Sequence, residues 1–129
     1  MSSKLSVTFD LLDLMLANEK LRSMVNGQIF PLVAPEDTTG DFIIYARTDG
    51  GTQMNMMCAS DEWCELTYNV VTSKYLRGIE IAETLRAALQ DITIDKEPMI
   101  LTRTKEDYVG EGNLIKYVQI LVFSVGKTE

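Results

Sequence analysis

The sequence predicts an α+β domain, in which a mostly antiparallel sheet has an N-terminal helix and a second helix packed on one face. Two segments, residues 4–25 and 74–90, carry apolar residues at the three- and four-residue spacings of an amphipathic helix. Between and after them lie runs of branched and aromatic residues, separated by turns that contain glycine and proline. The order is helix, two or three strands, helix, two strands, and we expect residues 1–129 to form one domain.

The first helix is predicted from one apolar stripe, formed by Leu5, Phe9, Leu12 and Leu16. Asn18 is a residue type that caps helices, so the pattern allows a break there and a second short helical turn. Asn26–Gly27 is expected to end the helix, because both residues tolerate the left-handed conformation of a C-cap.

The next segment, QIFPLVA at residues 28–34, is apolar and extended, but Pro31 and Pro35 each lack an N–H donor. Such a strand is predicted to be short or to lie at an edge of the sheet. PEDTTGD has the composition of a turn, and FIIYAR at residues 42–47 resumes as a strand. The prolines therefore predict a rigid elbow that leads into a hairpin-like return.

Residues 50–62 begin with two glycines and are predicted to form a loop with some strand character in its middle, whereas WCELTYNVVTS at residues 63–73 alternates as a strand. Cys64, Leu66, Tyr68 and Val70 fall on one face of that strand. The opposite face holds Trp63, Glu65, Thr67 and Asn69.

The second helix is predicted to bury Ile79, Ala82, Leu85 and Leu89, with Ser73 as its N-cap. Gly78 is unfavourable inside a helix, so it indicates close packing or a late start. Two more strands, residues 99–109 and 114–125, are separated by GEGN, which is a hairpin-loop signal. In the last strand Ile120 and Val122 make one face apolar and Leu121 and Phe123 the other, as in a strand buried on both faces.

The chain has 129 residues, a net charge of −7 and no histidine. The absence of histidine excludes Ser–His and Cys–His catalysis and removes the commonest metal ligand. Lysine and arginine are scattered singly, which argues against a basic patch and against sequence-specific nucleic-acid binding. No apolar run approaches the roughly 20 residues that span a bilayer. We therefore expect no membrane association, no signal peptide and a cytoplasmic protein.

The segment MNMMC supplies soft sulfur ligands at Met54, Met56, Met57 and Cys58, and such ligands select Cu(I). The spacing is uneven and no second sulfur cluster exists, so we favour a flexible segment that packs on the core or on another subunit. We expect no metal ion and no cofactor.

Three acidic pairs, Glu36–Asp37, Asp61–Glu62 and Glu106–Asp107, have the chemistry for acid–base hydrolysis or for holding a divalent cation. All three lie in predicted loops, where solvated charge is the ordinary finding, so we predict no catalytic role. Cys64 faces inward and is interpreted as a small buried hydrophobe. Trp63 faces outward, which suits either a loop cover or an interface anchor.

Taken in order, these segments resemble the tail-completion (tail-terminator, minor tail protein) family of long-tailed bacteriophages and prophages. IFPLVAPEDTTGDFIIYAR is similar to the proline segment, short acidic loop and strand that follow the first helix in that family. WCELTYNVVT, IAETLRAAL and YVQILVFSV are similar to its next strand, its second helix and its final apolar strand. Phe42 stands where related sequences often have proline, and the methionine-rich loop has no counterpart.

The resemblance implies structural work and no enzyme activity. Such proteins form a ring, commonly hexameric, on the head-proximal end of the tail tube, where they stop tube polymerisation and present a surface to the head. The implied partners are further copies of the chain, the tail tube protein and the head–tail connector protein, and DNA passes through the channel. The implied location is the host cytoplasm during assembly and then the virion tail.

A closed ring uses heterologous contacts, in which one patch meets a different patch of the next subunit. The residues expected at subunit contacts are Trp63, Met54, Met56, Ile120 and Val122. Glu36, Asp37 and Asp41 are expected to line the channel or the ring face, where negative charge lets DNA slide without sticking.

Three other functions stay open from the sequence. A head-closure or neck adaptor of the same virion would share every feature above. A small divalent-ion-dependent hydrolase would require a cleft that gathers several of the loop carboxylates, and a copper-binding module would require the sulfur groups of Met54–Cys58.

Overall fold

The computed structural model describes residues 7–54, 60–90, 92–94 and 97–126 of the chain. Its helices are α1 (Val7–Ala17), α2 (Glu19–Met24) and α3 (Tyr75–Leu89). Its strands are β1 (Ile29–Pro31), β2 (Phe42–Met54), β3 (Ser60–Thr72), β4 (Thr93–Ile94), β5 (Glu97–Val109) and β6 (Lys116–Val125). The predicted α+β class is confirmed. Across these residues, no helix has the length and apolar character needed to cross a membrane.

The described strands form one sheet in the order β1-β2-β3-β6-β5-β4. Neighbouring strands are antiparallel except β1 and β2, which run parallel with Ile29 beside Ile43. The predicted hairpin-like return at the prolines is therefore wrong. Since β1 has three residues and is about 10 Å long, the loop of residues 32–41 is long enough to bring the chain back before β2 begins.

The predicted proline elbow is present as a short edge strand with fixed geometry. Pro31 ends β1, and Leu32 then takes a left-handed conformation with φ of 66°. The side-chain nitrogen of Gln28 donates hydrogen bonds to the carbonyls of Thr39 (2.9 Å) and Asp41 (3.0 Å), which ties the far end of the loop to the start of β1.

The N-terminal helical region breaks at Asn18, as its sequence predicts. The Asn18 Oδ1 atom accepts a hydrogen bond from the Leu21 N–H at 2.9 Å and so caps α2. Asn26 and Gly27 follow α2 with φ of 52° and 72°, which confirms the predicted helix end.

The buried side of α1 differs from the predicted stripe by one position. Leu11 and Met15 are fully buried, whereas Leu12 and Leu16 are half-buried at the margin of the core. Contacts with α2, α3 and β2 surround α1, so the face turned towards all three is the one that loses water. Leu5 and the side chain of Phe9 lie outside the described part of the chain.

In α3 the residues buried against the sheet are Gly78, Ile81, Leu85 and Leu89. The prediction was right for Leu85 and Leu89, and Ala82 is half-buried and packs against the core. It was wrong for Ile79, which is half-buried. The predicted N-cap Ser73 is also wrong, because Lys74 occupies that position and makes no side-chain capping bond.

Gly78 explains how α3 comes so close to the sheet. A Cβ atom on Gly78 would lie 2.9 Å from Thr72 Oγ1 and 3.6 Å from Gln119 Cγ. The absence of a side chain therefore lets α3 pack directly over β3 and β6, and the predicted close packing is confirmed.

The alternation predicted for β3 is confirmed, with Cys64, Leu66, Tyr68 and Val70 buried beneath the helices. The predicted loop at residues 50–62 is mostly wrong, because β2 continues to Met54 and β3 begins at Ser60. Gly50 and Gly51 pair with Cys64 and Trp63 in this ladder, so these glycines serve close backbone approach within a strand.

The hairpin predicted around GEGN is confirmed as β5 and β6, with Val109 beside Lys116. β6 lies inside the sheet between β3 and β5, and Leu121, Val122 and Phe123 are all buried. The prediction of a strand buried on both faces is therefore confirmed within a single chain.

Candidate functional site

The sheet has one face covered by the helices and a second, open face. On the open face, Trp63 lies across Gly51, where a Cβ atom would be 3.3 Å from the indole Nε1. Beside it, Thr48 Oγ1 donates to Glu65 Oε1 at 2.9 Å and lies 2.8 Å from the Thr67 hydroxyl. The outward orientation predicted for Trp63 is confirmed, and the indole is half-buried against its own strand pair.

The residues expected at subunit contacts differ in how far they are exposed. Val122 is 3% exposed, so the chain itself covers it, while Ile120 is half-buried. Met56 and the side chain of Met54 lie outside the described residues, as does the rest of the MNMMC segment up to Cys58. The interface role of Trp63 and Ile120 stays a prediction.

The acidic residues of the elbow loop lie at the opposite end of the sheet from Trp63, next to the start of β2. Glu36 and Asp37 are exposed within a turn in which Thr38 donates both its N–H (3.1 Å) and its hydroxyl (2.7 Å) to the Pro35 carbonyl. Asp41 is half-buried and pairs with Arg77 of α3 at 3.9 Å. The expected position of these carboxylates in a channel stays a prediction.

The other acidic pairs do not lie in loops. Glu106 and Asp107 belong to β5, and Asp61 and Glu62 belong to β3, so the loop assignment was wrong for both pairs. In the described parts of the chain, no group of three or more acidic or cysteine side chains is placed to hold a metal ion.

A polar and aromatic cluster that sequence reasoning missed joins α3 to the β5–β6 hairpin. The Tyr75 hydroxyl donates to Glu106 Oε2 at 2.5 Å, and Gln119 Nε2 donates to the same oxygen at 2.9 Å. These two hydrogen bonds lower the pKa of Glu106, and the bond to Glu106 raises the pKa of Tyr75. The Tyr117 ring meets Tyr75 edge-on at 5.8 Å. Thirty-one residues separate Tyr75 from Glu106, and no spacing rule links them.

Both lateral edges of the sheet are open over part of their length. β1 covers β2 only from Ile43 to Tyr45, so the described chain leaves the outer edge of β2 unpaired from Ala46 onwards. β4 covers β5 at residues 97–98, and the Met99 N–H donates to the Ile92 carbonyl at 3.0 Å, which leaves 100–109 without an outer partner among the described strands. Within the two open stretches, we call residues 46–52 the β2 edge and residues 102–109 the β5 edge.

Exposed apolar side chains adjoin both edges. Leu32 (75% exposed) and Val33 (72%) lie where the chain leaves β1, and Tyr108 (64%) and Val109 (54%) end the β5 edge. Sequence reasoning predicted the strands but not their bare edges, because an edge is defined by what the rest of the chain fails to cover.

No protein-family model matches this chain, and no curated protein matches it either. Among solved structures, it is similar to a chain of the "Virion of native gene transfer agent (GTA) particle". The two share a TM-score of 0.68 and 14% sequence identity, and the likeness covers 88% of each chain. At this identity the comparison shows a shared fold.

Proposed function

We propose that this chain is a non-enzymatic structural protein of a phage-like virion, which forms a ring on the head-proximal end of the tail tube. There it ends tube polymerisation and presents a surface to the head–tail connector. The observation that carries the proposal is the fold shared with a chain of the gene transfer agent particle over 88% of both chains. The resemblance of the sequence to tail-completion proteins supports the same role.

The surface of the chain fits this role physically. Open strand edges with apolar side chains beside them suit association with further copies and with a tube. The net charge of −7, together with exposed Glu36 and Asp37, suits a passage through which DNA moves without binding.

The proposal is tested by deleting the gene in a strain that produces the particles and imaging the lysate by electron microscopy. A terminator stops tube growth, so its loss is expected to give tails of excessive and variable length that lack heads. Supplying the intact chain from a plasmid should restore uniform tails.

The same images separate the proposed role from that of a neck adaptor. Loss of an adaptor would leave tails of normal length that fail to join heads. Joined particles with uniform tails after deletion would contradict both roles.

A further inference from the structure

We infer that the β5 edge of one copy pairs in antiparallel fashion with the β2 edge of the next copy, so that neighbouring sheets join into one. The inference rests on the proposed ring and names the surfaces that would close it. The occupant of each edge is thus a second copy of this chain.

Strand direction is the first support. β2 and β6 run the same way, and β3 and β5 run the opposite way, because β2–β3, β3–β6 and β6–β5 are all antiparallel. Copies related by rotation about a ring axis keep the same orientation. A β5 placed beside the β2 of the next copy is therefore antiparallel to it, with the helices of both copies on the same side.

Charge complementarity fixes a register. With Arg47 opposite Glu106, Asp49 falls opposite Lys105, once the bulge between Arg47 and Asp49 is taken into account. All four side chains are exposed. The faces also agree. Within the chain, Arg47 pairs with Leu66 and Glu106 pairs with Gln119, so both lie on the helix side of the sheet. Asp49 pairs with Glu65 and Lys105 pairs with Ile120, so both lie on the open face.

The alternative, a two-fold pairing of β5 with a second β5, meets like charges in every central register. A two-fold axis normal to the sheet places one residue opposite itself, and this is unfavourable for Arg103, Lys105, Glu106 or Asp107. Centring the axis on Thr104 instead brings Arg103 opposite Lys105. An axis through Lys105 or Glu106 also forms opposite-charge pairs of Asp107 with Arg103 or Lys105, but it keeps the like-charged pair at its centre. The pairing with β2 contains no like-charged pair, so the charge pattern favours it.

The exposed apolar residues fall into place in the same register. Continuing from Arg47 opposite Glu106, Asp107 falls opposite Ala46. Tyr108 and Val109 then have to leave the β2 edge, because Pro31 of β1 already pairs with Tyr45. Leu32 and Val33 follow directly after β1. The apolar end of the β5 edge in one copy thus reaches the exposed apolar pair of the next copy, and both lose water.

Disulfide trapping tests the pairing. Asp49→Cys and Lys105→Cys are made as separate variants in a Cys58→Ser background, while the fully buried Cys64 stays in place. Equal amounts are mixed at the highest soluble concentration, oxidised gently and separated on a non-reducing gel, with the linked peptides identified by mass spectrometry. We expect a dimer that joins D49C to K105C. A mixture of K105C with Glu83→Cys, which is exposed on α3, is the matched control and should stay unlinked.

Charge exchange provides an independent readout. Asp49→Lys and Lys105→Asp should each shift the sedimentation profile towards monomer, and the double variant should regain the oligomer. Two surface substitutions that merely disturb folding would add instead of compensating.

Each other outcome overturns the pairing. A dominant K105C–K105C product would show the two-fold arrangement, and rings without the D49C–K105C link would show a different interface. A chain that stays monomeric and unlinked, both in solution and in particles that carry the two cysteines together, would also exclude the pairing. The deletion phenotype is measured separately, so overlong tails would keep the proposed function even where the pairing fails.

Discussion

At the scale of single residues, Tyr68 carries a polar hydroxyl into the apolar core. It is fully buried, stacks on Tyr45 at a centroid distance of 6.0 Å and meets Phe123 edge-on at 5.7 Å. Its hydroxyl has no hydrogen-bond partner in the part of the chain that the structure describes. A buried polar group without a partner costs stability, whereas the aromatic ring itself packs well.

Tyr68→Phe is therefore expected to raise the free energy of unfolding by about 1 kcal/mol, because it removes the hydroxyl and keeps the ring. Urea denaturation followed by circular dichroism measures the change. Tyr108→Phe is the matched control, since Tyr108 is 64% exposed and the same deletion there should have little effect. A clear loss of stability in Tyr68→Phe would mean that the hydroxyl has a partner.

The same residue predicts how stability changes in alkali. Burial raises the pKa of Tyr68 above its ordinary value of 10.0, and the nearby Tyr45 and Cys64 raise it further. Above pH 10 the Tyr68 phenol ionises in the unfolded chain, while the folded chain holds it neutral. This group therefore leaves the free energy of unfolding unchanged below pH 10 and lowers it as the pH rises further. The expected slope for this group is at most about 1.4 kcal/mol per pH unit. Tyr68→Phe should remove that part of the slope, whereas an unchanged slope would contradict the desolvation argument.

Gly78 determines how closely α3 packs on the sheet. An alanine Cβ would lie 2.9 Å from Thr72 Oγ1, and Thr72 is fully buried with its hydroxyl donated to the Lys74 carbonyl at 2.8 Å. Overpacking costs about 1–3 kcal/mol, and alanine regains about 1 kcal/mol of helix propensity. We expect Gly78→Ala to lower the melting temperature, and Gly78→Ala with Thr72→Ala to recover part of the loss. A more stable Gly78→Ala would show that α3 can shift freely.

At the scale of elements, local signals predicted most of the fold. Caps and alternation are set by neighbours in sequence, so Asn18, the β3 alternation and the GEGN hairpin were all placed correctly. The parallel pairing of β1 and the strand that runs through Gly50 and Gly51 were missed. Both depend on partners that the sequence brings together only after folding.

The candidate surfaces also divide into features set by local sequence and features set by tertiary contacts. The two-residue alternation of β3 predicted that Trp63 faces outward. Val122 lies on the same face, but its burial depends on the neighbouring strands. The Tyr75–Glu106–Gln119 cluster and the two open edges depend on tertiary placement, which no spacing in the sequence encodes.

The short helix α2 is predicted to depend on its cap. It has six residues, too few to be stable alone, and the Asn18 side chain binds the Leu21 N–H at 2.9 Å. Asn18→Ala should lower the free energy of unfolding by about 1 kcal/mol. Ser23→Ala, an exposed change within α2, is the control and should leave stability nearly unchanged. Equal effects of the two changes would remove the capping role.

At the scale of the whole molecule, the proposed ring makes a prediction about DNA passage. With Glu36→Lys and Asp37→Lys together, positive charge would stand where we expect the channel, and DNA should leave particles more slowly. The delay should shrink as salt rises, because screening weakens the attraction. Ejection is followed by fluorescence of a DNA dye, with Glu83→Lys on the exposed side of α3 as control. Identical ejection rates from wild-type particles, from the doubly substituted particles and from the Glu83→Lys particles would place the elbow loop away from the channel.

The short strands at the two margins of the sheet sit at diagonally opposite corners, because β1 flanks the beginning of β2 and β4 flanks the beginning of β5. Within one chain Ala46 is level with Arg103, through Thr67 and Val122. In the pairing inferred above, Ala46 stands opposite Asp107, four residues further along β5, so each copy is displaced from the last by about 13 Å along the strand direction. A circle of such copies can close only with its strands slanted to the ring axis, as in a β-barrel whose strands are staggered.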